Sequence, residues 1–448
     1  MKYDLTEGSI TKKLLRFTLP LMVGNMLQQF YNIADTLIVG KFLGKNSLAA
    51  VGSSYTLMVF LTSIILGLCM GSSAFFSIQY GQKKIDDLKN SFFMSFVMIG
   101  VVAVVINILV YVFLDEIITL LRIPPEIYDI MRSYLFYVFM GIMATFLYNF
   151  FASLLRALGN SLVPLLFLFI STILNIVLDL IFILYFKWGV NGAAIATVIA
   201  QYVSGIGIML YYLLCFPEFR VEKKHMFWNT STIKGIGNLS FLTCAQQSVM
   251  NLGILAVQGL VNSFGTIVIA AFAIAVKIDS LAYMPVQDFG NAFSTFVAQN
   301  YGAKKYDRIS KGMKISLISV FIFCAIISSI IILFAEPLMR IFIDASQTEI
   351  IAIGAKYLRI EASFYFGIGL LFLFYGYYRA INKAAISMVL TIISLGSRVI
   401  LAYTLSAIPS IGITGIWISV PIGWLLADAI GIFYYFYYKK TYIKARNI

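Results

Sequence analysis

Twelve apolar stretches, each long enough to cross about 30 Å of hydrocarbon, recur along this sequence, and few folds other than a membrane bundle can accommodate them. They run over about 14–38, 49–75, 91–114, 131–155, 161–185, 190–215, 236–262, 267–292, 312–334, 354–381, 385–407 and 412–438. Inside a bilayer a spanning segment must satisfy its own backbone polar groups, so each stretch reads as a helix. The expected fold class is all-α and integral to the membrane, with twelve transmembrane helices. Composition agrees, because apolar residues make up 60% of the 448 and charged residues only 12%, against roughly 25% in ordinary globular chains.

The one sizeable polar segment, Pro217 to Lys234, falls in the middle and divides the spans six and six. This suggests a first lobe over 1–215, a cytoplasmic linker over 216–235 and a second lobe over 236–448. The halves also repeat each other. Tyr80-Gly81-Gln82-Lys83-Lys84-Ile85-Asp86 matches Tyr301-Gly302-Ala303-Lys304-Lys305-Tyr306-Asp307. Gln28-Gln29 with Gln246-Gln247, Tyr134-Leu135 with Tyr357-Leu358, Arg156-Ala157 with Arg379-Ala380, and Gly189-Val190-Asn191-Gly192 with Gly412-Ile413-Thr414-Gly415 follow in the same order. Six spans per half is even, so the repeats are expected to be parallel, related by a pseudo-two-fold axis along the membrane normal. Two similar lobes facing a central cleft is an arrangement that transporters use for alternating access.

Orientation comes from the bias of lysine and arginine in short loops. One side collects Lys2, Lys12, Lys13, Arg16, Lys83, Lys84, Lys89, Arg156, the linker cations, Lys304, Lys305, Arg308, Lys311, Lys314, Arg379, Lys383, Lys439, Lys440, Lys444 and Arg446. The other has Lys41, Lys45, Arg122, Arg132, Lys187, Arg340 and Lys356. Both termini are therefore expected in the cytoplasm, and the first span is expected to direct insertion with no cleaved signal before it. Most of the formal net charge of +13 is then a topological signal, with no nucleic-acid partner implied.

Enzyme chemistry lacks its parts. The single histidine, His225, sits in the polar linker and reads as a solvated loop residue, so His-based metal and triad sites are missing. Cys69, Cys215, Cys244 and Cys324 are widely spaced and read as small hydrophobes. The stretch Gly40-Lys41-Phe42-Leu43-Gly44-Lys45-Asn46 is one residue short of a phosphate loop and has no Ser or Thr after the second lysine. No cofactor is expected.

The informative positions are those where the repeat loses a polar group. A carboxylate within a span costs roughly 2.5–3.5 kcal/mol on insertion scales. Asp35 lies inside the first span, on one helical stripe with Gln28, Tyr31 and Asn32, and its counterpart is Gly253. Asn175 and Asp179 share one face of span five, opposite Arg398 and Ala402 in the second half. Thr197 corresponds to Val420, and Asn149 to Phe372. Two carboxylates close together in a low dielectric cannot both stay ionised, so such a cluster takes up a proton or holds a monovalent cation. The competing reading is that Asp35 and Asp179 only fix helix packing. Lys277, Asp279, Asp288, Arg359, Glu361 and Asp428 also lie within spans. Arg398 is expected either to pair with Glu361 or to contact substrate.

Together these residues resemble the multidrug and toxic compound extrusion (MATE) family. The likeness rests on Leu19-Pro20-Leu21-Met22 through Gln28-Gln29-Phe30-Tyr31-Asn32-Ile33-Ala34-Asp35, on Leu155-Arg156-Ala157-Leu158-Gly159-Asn160, and on Leu174-Asn175-Ile176-Val177-Leu178-Asp179. Gly189-Val190-Asn191-Gly192-Ala193-Ala194-Ile195-Ala196-Thr197 and Gln299-Asn300-Tyr301-Gly302-Ala303 extend it over the chain. The resemblance implies an antiporter of the cytoplasmic membrane, acting as a monomer, that expels cationic or amphipathic organic compounds in exchange for inward protons or sodium ions. It places the coupling site on Asp35, Asn175, Asp179 and Thr197, with Asn149 and Tyr134 as neighbours, and any sodium ion would sit among the first four. Candidate substrate contacts are Gln28, Tyr31, Asn32, Gln246, Asn251 and Arg398. A flippase for a lipid-linked sugar, from the same broader superfamily, is the alternative.

Overall fold

The computed structural model describes residues 4–120 and 123–446. Lys2 and Arg122 of the topological charges lie outside the described residues, as do the side chains of Lys45, Lys439, Lys440, Lys444 and Arg446. Among the described residues the chain consists of helices and short connections, with no strand. In order they are α1 (Ile10–Gly81), α2 (Ile85–Val112), α3 (Leu114–Leu120), α4 (Pro125–Val138), α5 (Ile142–Ala157), α6 (Leu162–Leu180), α7 (Gly189–Cys215), α8 (Thr230–Asn262), α9 (Thr266–Gly302), α10 (Tyr306–Arg340), α11 (Thr348–Ala362), α12 (Tyr365–Ala380), α13 (Ala384–Ser406) and α14 (Ile413–Arg446).

Ten of the described helical stretches are long and apolar enough to cross a membrane, and eleven when α11 and α12, bent by 53° at their junction, count as one span. The remaining expected span, 14–38, is helical throughout and forms the front of α1. Gln28, Gln29, Asn32 and Asp35 dilute its apolar content. Spans one and two are separated inside α1 at Gly44, whose backbone (φ 81°, ψ −177°) is open to glycine and strained for other residues.

The repeat seen in the sequence extends to backbone conformation. Gly44 and Gly265 both take positive φ, as do Lys83 and Lys304, Gly159 and Asn382, and Gly189 and Gly412. Lys83 and Lys304 sit in identical helix-ending turns. Lys84 N–H donates to the Gln79 carbonyl at 3.3 Å, and Lys305 N–H donates to the Asn300 carbonyl at 2.8 Å. Non-glycine residues rarely adopt this conformation, so its recurrence at matching lysines shows that the two halves share a fold as well as a sequence pattern.

The chain divides into two compact units. One contains Arg16–Cys244, and the other combines Leu5–Leu15 with Ala245–Ile448. In the first, α1, α2, α5 and α7 surround an aromatic core in which the Phe76 and Phe92 rings meet edge to face at 4.8 Å. The central linker is attached to this unit. Phe216 and Phe219 join its core, and Asn90 on α2 donates to the carbonyls of His225 and Phe227, both at 2.9 Å. His225 is therefore not the solvated loop residue expected from the sequence. It is 2% exposed, with Nε2 2.8 Å from Asp86 Oδ1. In the second unit α9 and α12 approach so closely that a Cβ on Gly376 would lie 2.4 Å from the Gly290 carbonyl oxygen.

Candidate functional site

Four helices of the first unit bring the sequence-selected polar residues together. On α6, the i, i+4 spacing puts Asn175 and Asp179 on one face, and both are buried, Asp179 completely. Immediately beyond Asp179 the helix widens into a π-helical turn over Ile181–Tyr185, a local distortion frequent at functional positions. α7 contributes Thr197, α1 contributes Tyr31 and Asp35, and α4 contributes the buried Tyr134.

The hydrogen bonds run in one direction. With its amide turned to suit both neighbours, Asn175 donates to Asp179 Oδ2 at 2.9 Å. Its oxygen accepts from Thr197 N at 3.1 Å and from Thr197 Oγ1 at 3.2 Å. A hydroxyl has a single proton. With that proton committed to Asn175, the Tyr31 hydroxyl, 3.3 Å from Thr197 Oγ1, is the donor there.

The series ends on two carboxyls. Asp35 and Asp179 lie within hydrogen-bonding reach of each other, and a shared proton relieves the repulsion of two adjacent negative charges. Apart from that contact, Asp35 Oδ1 and Asp179 Oδ1 are buried and receive no hydrogen bond among the described residues. Tyr134, buried, interacts electrostatically with both carboxyls and with Tyr31. It belongs to an apolar cluster with Val39, Val51, Val138 and Ile183. This apolar layer lowers the dielectric around the pair, which penalises two adjacent negative charges. The cluster can therefore hold one proton, or a monovalent cation on its carboxylate, amide and hydroxyl oxygens.

Other sequence-selected residues are placed differently. Asn149 donates its amide to the Thr145 carbonyl one turn earlier on its own helix at 2.8 Å, and among the described residues no hydrogen bond links it to the cluster. Asn32, half-buried, reaches the Tyr55 hydroxyl at 3.5 Å, and Gln28 is half-buried on the same helix. Tyr31, selected as a substrate contact, has its hydroxyl on Thr197. Gln246, Asn251 and Arg398 belong to the second unit, with Gln246 buried and the other two half-buried. Arg398 interacts electrostatically with Glu361 and Asp279, but no direct ion pair to either occurs among the described residues. No group of three or more His, Cys, Asp or Glu side chains that could hold a metal occurs among the described residues.

Comparison with known proteins agrees with the fold and the paired halves. The MatE family model matches residues 20–181 and again 243–404, one match in each half of the chain. The chain belongs to the MatE family. It is 32% identical to the probable multidrug resistance protein YpnP of Bacillus subtilis, over 97% of both chains. It is 26% identical to the probable multidrug resistance protein NorM of Thermotoga maritima, over 94% of this chain and 92% of that one. Among solved structures, a multidrug resistance MATE family transporter in an outward-facing conformation superposes with a TM-score of 0.91 at 23% identity, covering 98% of each chain. As a MatE member the chain is a multi-pass membrane transporter and not an enzyme.

Proposed function

We propose that this MatE protein is a secondary active multidrug exporter of the plasma membrane, expelling cationic or amphipathic organic compounds in exchange for inward protons or sodium ions. The observation that carries the reading is the contact between Asp35 and Asp179, stabilised by Asn175 and Thr197 within a spanning region. A carboxyl pair held within a spanning region exists in two states of different charge, and a coupling ion needs such a difference in order to favour one conformation over another. The names of the relatives, multidrug resistance and multidrug export proteins, support the substrate class. Both termini lie in the cytoplasm, on the side that collects the loop lysines and arginines, and the protein acts as a monomer. Gln28, Tyr31, Asn32, Gln246, Asn251 and Arg398 remain the candidate substrate contacts.

The driving force is sufficient. One charge moving through about 150 mV releases roughly 3.5 kcal/mol, enough to hold about a 300-fold gradient of a neutral substrate.

Purified protein in liposomes, with pH and sodium gradients imposed separately, tests the reading. Efflux of a fluorescent organic cation should respond to one gradient and fall to background in Asp35→Asn and in Asp179→Asn. Normal gradient-driven efflux by either variant would falsify the assignment.

A further inference from the structure

The linker ahead of α8 presents three consecutive apolar side chains at its surface. Met226 is 50% exposed, Phe227 52% and Trp228 67%. Slack chain does not account for this, because hydrogen bonds hold the segment at both ends. In the short 3₁₀ turn Lys223–His225 before it, the Glu222 N–H donates to His225 Nδ1 at 3.1 Å. Asn90 on α2 holds the carbonyls of His225 and Phe227. Beyond the segment, the Asn229 side chain caps α8 by accepting from Ser231 N at 3.0 Å and Thr232 N at 3.2 Å.

The depth of this surface follows from what pins it. Asn90 stands one residue before the apolar stretch 91–114. Arg220 Nε donates to the Leu213 carbonyl in the last turn of α7, where the apolar stretch 190–215 ends. Both contacts lie where apolar helix gives way to polar chain, the level of the headgroups in a bilayer. Leu214, in that same last turn, is 71% exposed, as befits a side chain that faces lipid.

Water is a poor partner for adjacent Phe and Trp side chains, and three side chains are too little area for a protein partner. An aromatic residue buries about 150–250 Å², whereas a stable protein interface takes at least roughly 1,200 Å². The headgroup layer suits them, since it receives the apolar body of a ring and still solvates an indole N–H. Charge agrees. Arg220, Lys223 and Lys224 are exposed. The acids nearby are already met: Asp87 by Lys84 at 3.6 Å, Glu222 by Lys89 at 3.4 Å, and Asp86 by His225 at 2.8 Å and Lys224 at 3.9 Å. Arg220 and Lys223 make no ion pair among the described residues, which suits them to anionic phosphates.

We propose that the linker is a membrane anchor: Met226, Phe227 and Trp228 insert into the headgroup layer at the edge of the hydrocarbon, and Arg220 and Lys223 bind the phosphates of anionic phospholipids. The inference uses none of the residues assigned to the coupling ion or to the transported compound, so it stands apart from both.

Fluorescence of the full chain in bilayer nanodiscs tests it, with the Trp228 signal taken as the difference between wild type and Trp228→Phe. Trp228→Tyr supplies the same difference if Trp228→Phe is unstable. In phosphatidylcholine, lipid brominated near the carbonyl end of its chains should quench the Trp228 component more than lipid brominated near the chain ends. Aqueous acrylamide should reach it poorly. Adding phosphatidylglycerol should deepen the lipid quenching, and Arg220→Gln/Lys223→Gln should lose that gain. A component quenched by acrylamide and not by brominated lipid overturns the proposal, and so does one shielded from both, since protein would then cover it. Quenching that phosphatidylglycerol leaves unchanged overturns the assignment of Arg220 and Lys223.

Discussion

The Tyr31 hydroxyl lies 3.3 Å from Thr197 Oγ1 and joins α1 to α7 beside the carboxyl pair. Because Thr197 has given its own proton to Asn175, Tyr31→Phe removes a donor and leaves Thr197 Oγ1 with a free lone pair. A neutral hydrogen bond contributes about 1 kcal/mol net, so Tyr31→Phe is expected to change the apparent affinity for the coupling ion about fivefold without abolishing efflux. Ion-titrated efflux in liposomes measures this, and an unchanged affinity contradicts it.

Asn175→Ala should be more damaging. It strips Asp179 Oδ2 of its 2.9 Å donor and takes from the Thr197 hydroxyl its 3.2 Å acceptor. Each buried polar group left unsatisfied costs about 1–3 kcal/mol, so both thermal stability in detergent and coupled transport should fall. Asn175→Asp is expected to bring a third carboxyl into the cluster and to make its occupancy more strongly pH-dependent.

At the α9–α12 crossing, Gly376→Ala sets a methyl 2.4 Å from the Gly290 carbonyl oxygen. Backbone cannot yield as a side-chain tip can, so the helices must separate. A loss of about 1–3 kcal/mol is expected, read as a lower melting temperature. Gly396→Ala, where a Cβ meets nothing within 4 Å, is the matched control and should be near neutral.

The linker offers a pH test outside the membrane. The Lys89 ammonium, 3.4 Å from Glu222, and after it Lys224, hold the Glu222 carboxyl below its usual value of 4.5. A group with a depressed folded value stabilises the attachment above its unfolded value and loses that contribution as pH falls through the folded one. Limited proteolysis of the linker should thus be slow and flat at neutral pH and accelerate only in strong acid. His225→Ala, which removes the 2.8 Å contact with Asp86, should expose the linker at neutral pH.

Much of the candidate site was legible because charge in a span is rare. Asp35, Asn175, Asp179 and Thr197 stood out as polar positions that the second half lacks, and Tyr134 as a repeated tyrosine. Asn149 looked equivalent by the same criterion, yet its amide turns back to its own helix. Glu361 and Asp279 were visible as intramembrane acids, but the expected pairing of Glu361 with Arg398 is not a direct contact, and the hydroxyls of Tyr357 and Tyr365 on Asp279 had no signal in spacing. His225 was misread for a related reason: a polar run of sequence says nothing about what folds over it.

Hydropathy, loop charge and the repeat are properties of residues near each other in sequence, and they determined the all-α membrane class, the paired halves and the list of buried acids. Which of those acids meet was decided by the tertiary structure alone. A helix fixes which residues share a face, whereas its rotation and crossing against its neighbours are set by packing along its whole length. Only that packing brings Asp35 to Asp179, sets Tyr31 on Thr197, and leaves the buried Glu361 with no hydrogen-bond partner among the described residues.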